Sequence, residues 1–256
     1  MSTSQRVAKL LARTGLCSRR EGEHWVREGR VRLNGVQLAS PAANASEADS
    51  LEVDGRRVRL AAARQRPRVF VAHKLPGELV TRSDPAGRRT IFERFRAMGL
   101  ADVLMPVGRL DMMSEGLLLL TDDGELARLL ELPSSGLRRV YRARVHGRVT
   151  PKKLEAMRRG VTTSDGWRFS PMTVAADASK GTHTWLSISC TEGKQRMVRR
   201  VCSHLALDVN RLIRTQYGPY QLGELSRGSV REVRPHLSLM RQLAESRGDL
   251  SSHGDK

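Results

Sequence analysis

The chain has 256 residues, enough for one large domain or two modest ones with a proper buried core. Its 45 lysines and arginines against 27 aspartates and glutamates leave a formal charge of +18, spread along the whole length, which asks for a polyanionic partner. No long apolar stretch, amphipathic basic helix or lipidation signal points to a membrane surface, so nucleic acid is the expected partner.

Met1 to Gly15 lack the apolar core and small-residue cleavage site of a secretory signal. Cys17, Cys190 and Cys202 are odd in number and widely spaced, which suits reduced thiols better than a disulfide framework or a zinc site. A cytoplasmic, metal-free protein is expected. At 4% aromatic residues, a surface that binds single strands by stacking many bases is disfavoured.

In chain order, Val7, Leu10 and Leu11 recur at helical spacing and stop at Gly15. Ser18 and Glu21 form a capping box that opens a second helix, and Gly29 is placed to close it. That helix carries Arg19, Arg20 and Arg27. Val31 to Leu38 alternates on either side of Asn34-Gly35, the strongest short hairpin signal, and Leu51 to Gly55 adds a strand. Together these make a compact helix-helix-hairpin module over residues 4–60. Trp25 either stacks on a base or, as is commoner, anchors the small core.

Residues 61–68 have no apolar periodicity and read as a basic linker. A strand begins at Val69. Leu126 to Leu132 predicts a short helix that stops before Pro133, and Arg139 to Val145 alternates like a strand. Thr150, Pro151 and Gly160 punctuate a helix as N-cap, first-turn residue and terminator. Strands are expected at 167–174 and 184–190. Beyond Pro235 the chain turns polar, and residues 236–256 read as a tail with a disordered end. Strands and a few helices without regular alternation make the larger domain, 69–235, α+β with a mixed, mainly antiparallel sheet.

Within it, Gly108 to Ala127 places Asp111 between Arg109 and a run of four leucines, Leu117 to Leu120, short enough for a buried strand. A carboxylate beside such a strand is hydrogen-bonded, paired or employed, because burying an isolated charge is costly. Arg109, two residues earlier, falls on the same face of an extended segment. A structural Arg/Asp pair and a catalytic aspartate are both compatible with these residues alone.

GRLD followed by SEGLLLLTDDGELA resembles the active-site motif of the ribosomal RNA pseudouridine synthases, in the small-subunit pseudouridine synthase A family with an N-terminal S4 domain. The similarity is greatest to its large-subunit-modifying branch, on RLIRTQYG at Arg211 to Gly218. TGLCSRREGEHWVREGRVRLNGV is similar to the S4 RNA-binding domain, which implies RNA contacts from Arg19, Arg20 and Arg30. HKLPG matches a Lys-Pro-x-Gly opening pattern through Lys74, Pro76 and Gly77. His73 precedes it at a position usually polar and is expected to be a hydrogen-bonded structural residue.

By the same resemblance Asp111 is the catalytic aspartate, and Tyr141 stacks on the target base and is a candidate proton acceptor. Lys194, in EGKQRMVRR, pairs with the aspartate. Arg109, Arg196, Arg199 and Arg200 serve RNA binding, Arg109 as an aid to base flipping or a phosphate contact. Three departures stand out: Asp122 for asparagine, Arg139 for lysine and Met197 for glutamine.

The implied reaction isomerises uridine to pseudouridine, with no redox change and no group transferred from outside, so no cofactor is expected. Structured ribosomal RNA is the implied partner, large-subunit 23S first and small-subunit 16S as the alternative, and a monomer is the default. The competing expectation is a ribosome-assembly or RNA-binding factor without turnover, to which the charge and the first module alone would lead. A metal-dependent nuclease is the weakest alternative, since Asp111 has no neighbouring carboxylate or histidine set.

Overall fold

The computed structural model describes residues 4–14, 16–46, 48–58, 67–100, 104–177 and 182–247. They fall into two compact units, one drawn from Met1–Pro67 with Gly99–Leu104 and the other from Arg68–Met98 with Met105–Lys256.

In the first unit, helices α1 (Val7–Arg13) and α2 (Arg19–Arg27) are followed by short strands. Ser18 and Glu21 complete both halves of the capping box: the serine hydroxyl accepts from the Glu21 N–H at 3.2 Å and the glutamate from the Ser18 N–H at 3.3 Å. Strands β1 (Val31–Leu33) and β2 (Val36–Gln37) join through Asn34 and Gly35, with φ of 52° and 82°, the left-handed pair that a type I′ turn needs. Asp54 and Gly55 repeat the device between β3 (Leu51–Val53) and β4 (Arg56–Val58), a hairpin where the sequence suggested a single strand. The sheet order is β2-β1-β3-β4. Val7, Leu10, Leu11, Val26, Val31 and Leu51 form the core, and Trp25 packs against it in part with Arg30 over its ring.

Most of the linker expected at 61–68 lies outside the described residues. Arg68, its last residue, is tied into the second unit: its N–H donates to Asp122 at 2.8 Å and its guanidinium pairs with Glu232. Asp122, in place of asparagine, thus serves as an acceptor.

The second unit contains β5 (Val69–Lys74), α3 (Ile91–Ala97), β6 (Met105–Val107), β7 (Glu115–Thr121), α4 (Gly124–Glu131), β8 (Arg139–His146) and α5 (Pro151–Arg159). Then come β9 (Thr173–Ala176), β10 (His183–Cys190), α6 (Met197–His204), β11 (Asp208–Tyr217), β12 (Tyr220–Gln221), β13 (Val230–Val233) and α7 (Leu237–Arg247). Its main sheet runs β9-β10-β8-β11-β7-β5-β13, with β12 on β11 and β6 on β7. Every pairing in it is antiparallel except β11 with β7, the mixed and mainly antiparallel arrangement the α+β reading anticipates.

Both faces of β7 are covered, which accounts for four successive leucines. Leu117 and Leu119 join a cluster with Leu126 and Leu130 of α4 and Leu239 and Leu243 of α7, while Leu118 and Leu120 are equally buried on the alternate face. Helix α7 occupies the start of the segment whose polar composition reads as a tail; its buried leucines, four residues apart, are what dock it. Residues 248–256, where disorder was expected, lie outside the described residues. Among the described residues, no helix is long and apolar enough to cross a membrane.

Candidate active site

Strand β7 is buried along its whole length, and the turn that leads into it carries Asp111. Lys74, at the end of β5, is wholly buried, and its ammonium donates to the carbonyls of Leu75 at 2.9 Å, Met112 at 3.0 Å and Ser114 at 2.8 Å. Three N–H donors meet three acceptors, two of them, Met112 and Ser114, in the turn just after Asp111. The Gly77 N–H donates to the Met112 carbonyl at 2.8 Å, the Ser114 N–H to the Asp111 carbonyl at 2.9 Å, and the Gly108 N–H to Glu131 at 2.6 Å. The backbone around Asp111 is therefore fixed, and its half-buried carboxylate lines a cleft of about 740 Å³. His73, expected to be hydrogen-bonded, has its Nδ1 2.8 Å from the Leu225 carbonyl.

Burial pushes the Lys74 ammonium down to about 8, against the pull of Glu78 and then Asp111. Arg199 is a second cation that feels Asp111. Burial lowers its pKa, Arg196 adds to that and Asp111 opposes it. Its Nη2 donates to the Met113 carbonyl at 3.3 Å and its Nη1 to the Val209 carbonyl at 2.8 Å, so it braces the Asp111 turn and is not a free RNA contact.

Tyr141 comes to the same cleft from β8. A register shift between Val140 and Tyr141 in the pairing of β8 with β11 re-aims it, as bulges beside active sites do. Burial raises the phenol's pKa, and the Arg214 guanidinium opposes that shift. Arg214 sits opposite Tyr141 on β11 and is 2% exposed.

Arg139, in place of the family's lysine, is also buried. Its guanidinium donates to the carbonyls of Leu137 and Thr191 and to the Tyr217 hydroxyl at 2.8 Å, which in turn donates to the Leu130 carbonyl at 2.9 Å. A guanidinium can reach these divergent acceptors at once. The Tyr217 ring lies between Arg139, 4.6 Å from its centroid, and Arg214, at 4.9 Å.

Lys194 lines the cleft but does not pair with Asp111. Its ammonium donates to the Arg168 carbonyl at 2.6 Å and to Glu192 at 3.1 Å, because Glu192, two residues earlier and itself held by Ser170, is the carboxylate within reach. Arg109 and Arg196 are exposed and line the cleft, Arg196 with φ of 51° ahead of α6. Arg200 is drawn away to Asp165 at 2.8 Å and lies over the Trp167 ring. Met197 packs into the apolar cluster beneath α6, which removes the question of a glutamine hydrogen bond there.

In the first unit Arg19 and Arg20 are exposed on the opening turn of α2. Arg30 has a different use. It forms a two-pronged pair with Asp54, at 2.9 and 2.7 Å, and reaches Glu28 at 3.2 Å; hydrogen bonding to Asp54 first, then Glu28, raises its pKa. Its guanidinium is thus engaged by two carboxylates of its own unit. Lys74 and Arg214 acquire a place in the site that the sequence did not assign. Lys74 stood in a recognisable pattern without a role, and a buried arginine on a strand looks in sequence like an exposed one.

Residues 68–204 match the family model described as RNA pseudouridylate synthase, and residues 5–50 match that of the S4 domain. An uncharacterised RNA pseudouridine synthase of Rickettsia bellii (strain RML369-C) is 40% identical over 235 residues, covering 90% of this chain and 96% of its own. The ribosomal large subunit pseudouridine synthase B of Shigella flexneri is 37% identical over 253 residues, covering 97% of this chain and 87% of its own. A crystal structure of a pseudouridylate synthase matches with a TM-score of 0.62 at 24% identity over 94% of this chain and 100% of that one, a likeness of fold. The chain belongs to the RNA pseudouridine synthases, isomerases, and carries an S4 domain ahead of its synthase domain.

Proposed function

We propose that the protein isomerises one uridine of ribosomal RNA, in the 23S RNA of the large subunit, with Asp111 as the catalytic group and no cofactor. The observation that carries this is the Lys74-held turn, which presents the Asp111 carboxylate to a cleft it shares with Tyr141 and a set of cations. The likeness to the Shigella flexneri enzyme supports the large subunit as the source of the substrate.

The target lies within folded RNA and must be extruded to reach Asp111. Arg19 and Arg20 on the S4 domain, and Arg109 and Arg196 at the cleft, supply phosphate contacts that position the RNA. Tyr141 stacks on the extruded uracil. Its raised pKa keeps the phenol protonated at neutral pH, so it accepts a proton only if another is given up. Asp111 acts at the sugar or the base as nucleophile or acid/base. Lys194 contributes charge at the cleft edge. The protein works as a monomer in the cytoplasm, where this RNA is made.

Forming pseudouridine expels the hydrogen on uridine C5. Purified protein should therefore release tritium from ribosomal RNA tritiated at uridine C5 and taken from cells lacking this gene. Binding of that RNA without tritium release would instead favour the assembly-factor alternative.

Lys74 gives this activity a pH signature. Below about 8 its ammonium offers three donors; above it the amine has two and turns a lone pair toward a carbonyl, so the Asp111 turn loosens. The rate should fall as pH rises through about 8. Stability moves the other way at this residue. Its folded pKa lies below the ordinary 10.5, so the burial penalty on the charge is present below about 8 and relieved as pH rises toward 10.5. Lys74→Met should lower the rate roughly 10²-fold through misplacement of Asp111 and abolish the fall through pH 8, read in single-turnover tritium release; an unchanged profile would remove Lys74 from the account.

A further inference from the structure

We infer that Arg214 is a further catalytic residue of the isomerisation proposed above, donating through Nη2 to a carbonyl oxygen of the extruded uracil. This assignment rests on that proposed function. Arg214 is 2% exposed, yet only part of its guanidinium is satisfied. Its Nε donates to the Leu117 carbonyl at 2.8 Å, and its face lies 4.9 Å from the centre of the Tyr217 ring. Its Nη2 has no partner, and among the described residues no carboxylate comes within ion-pair distance of Arg214. Buried donors are nearly always paired, and a buried guanidinium cannot shed its charge. Arg214 lines the cleft and its guanidinium also hydrogen-bonds the Tyr141 phenol, which leaves the buried Nη2 as the donor that a group entering beside Tyr141 would satisfy.

The position suits a base. Arg214 lies on β11 between the two strands that carry the rest of the site: it pairs with Tyr141 on β8 and with Gly116 on β7, just after the Asp111 turn. Gly116 lets the backbones approach so closely that a Cβ there would lie 2.4 Å from the Arg214 carbonyl oxygen. A uracil stacked on Tyr141 thus has Arg214, one strand over, as a buried donor within the same cleft lining.

The chemistry needs such a donor. When the bond from C1′ to N1 breaks, its electron pair stays with the pyrimidine and spreads onto O2 and O4. The base turns, C5 bonds to C1′, the C5 proton leaves and N1 takes up a proton, so the product is an isomer. A fixed cationic N–H at a carbonyl oxygen strengthens as that negative charge develops, and being preorganised it requires no rearrangement at the moment of reaction.

The test uses the full-length protein with Arg214→Gln and Arg214→Lys, and ribosomal RNA tritiated at uridine C5 from cells lacking the gene. Thermal unfolding, RNA affinity and single-turnover tritium release are read for each. Arg214→Gln should keep its affinity for RNA and lose roughly 10²–10³-fold in rate, the scale of removing one such donor. Arg214→Lys should lose about tenfold, since an ammonium cannot hold Leu117 and the base together. A folded Arg214→Gln with a rate near wild type, or with a loss wholly in affinity, would overturn the assignment. If that variant does not fold, Arg214→Lys decides it, and a wild-type rate there is the contrary result.

A structural role alone could slow the variants, so RNA with 2-thiouridine or 4-thiouridine is the second readout. Sulfur accepts hydrogen bonds poorly; one of the two should slow the wild type while neither further slows Arg214→Gln. Equal slowing in both proteins would count against the contact. Wild-type protein that releases no tritium from any ribosomal RNA would instead show the proposed function itself to be wrong.

Discussion

Asp111→Asn protein should bind ribosomal RNA like its parent and lose roughly 10⁴-fold or more in isomerisation, the scale of removing a reaction's central catalytic group. The substitution is nearly isosteric, and the hydrogen bonds that hold this turn are to its backbone: the Ser114 N–H donates to the Asp111 carbonyl, and Lys74 holds the carbonyls of Met112 and Ser114 just beyond it. The amide therefore occupies the carboxylate's place without the charge or the basicity. Lys74 and Arg199 lose a stabilising neighbour, and Arg199 keeps its hold on Met113 and Val209. Thermal unfolding should shift little. Tritium release in a folded, RNA-binding Asp111→Asn protein is the measurement, and retained activity would mean the chemistry is done elsewhere.

Gly116→Ala should be the most damaging single-atom addition to the fold, costing about 4 kcal/mol or more. Gly116 has φ of +100°, where a side chain is strained by about 1–3 kcal/mol before any contact is considered. A Cβ there would also lie 2.4 Å from the Arg214 carbonyl oxygen, 2.8 Å from its nitrogen and 2.9 Å from Ile213 Cγ2. The first two are backbone atoms of a central strand, so neither can turn aside. To make room, β7 must part from β11 at the one parallel join of the sheet, which pairs only Ile213 with Glu115 and Arg214 with Gly116. Gly35→Ala is the control. Its φ is 82° but nothing lies within 4 Å, so it should lose only about 1 kcal/mol. Denaturant midpoints compare the two, and similar losses would show that the contact at Gly116 is unimportant.

The elements were legible where local chemistry determines them. Ser18 with Glu21, Asn34-Gly35 and Thr150-Pro151 satisfy their caps and turns within a few residues, so the sequence carries the whole signal. Four consecutive leucines announced β7 because a strand covered on both faces has no polar alternation to show. Helix α7 was hidden because its docking depends on two leucines meeting a cluster built from β7 and α4, over a hundred residues earlier. In the site, Asp111 and Tyr141 stand out in sequence and share the cleft. Partners did not follow, because several arginines and carboxylates compete for each other and only geometry chooses. Lys194 goes to Glu192, Arg30 to Asp54 and Arg200 to Asp165, while Lys74 and Arg199 stand near Asp111.

The most direct test of the central claim is to map pseudouridines in ribosomal RNA from cells lacking this gene, and from the same cells given back wild-type or Asp111→Asn protein. One large-subunit site should vanish with the gene, return with wild type and stay absent with Asp111→Asn. Loss of a small-subunit site would move the substrate and leave the chemistry in place. If no site changes, or if Asp111→Asn restores the lost one, the assignment of Asp111-dependent ribosomal RNA isomerisation is contradicted.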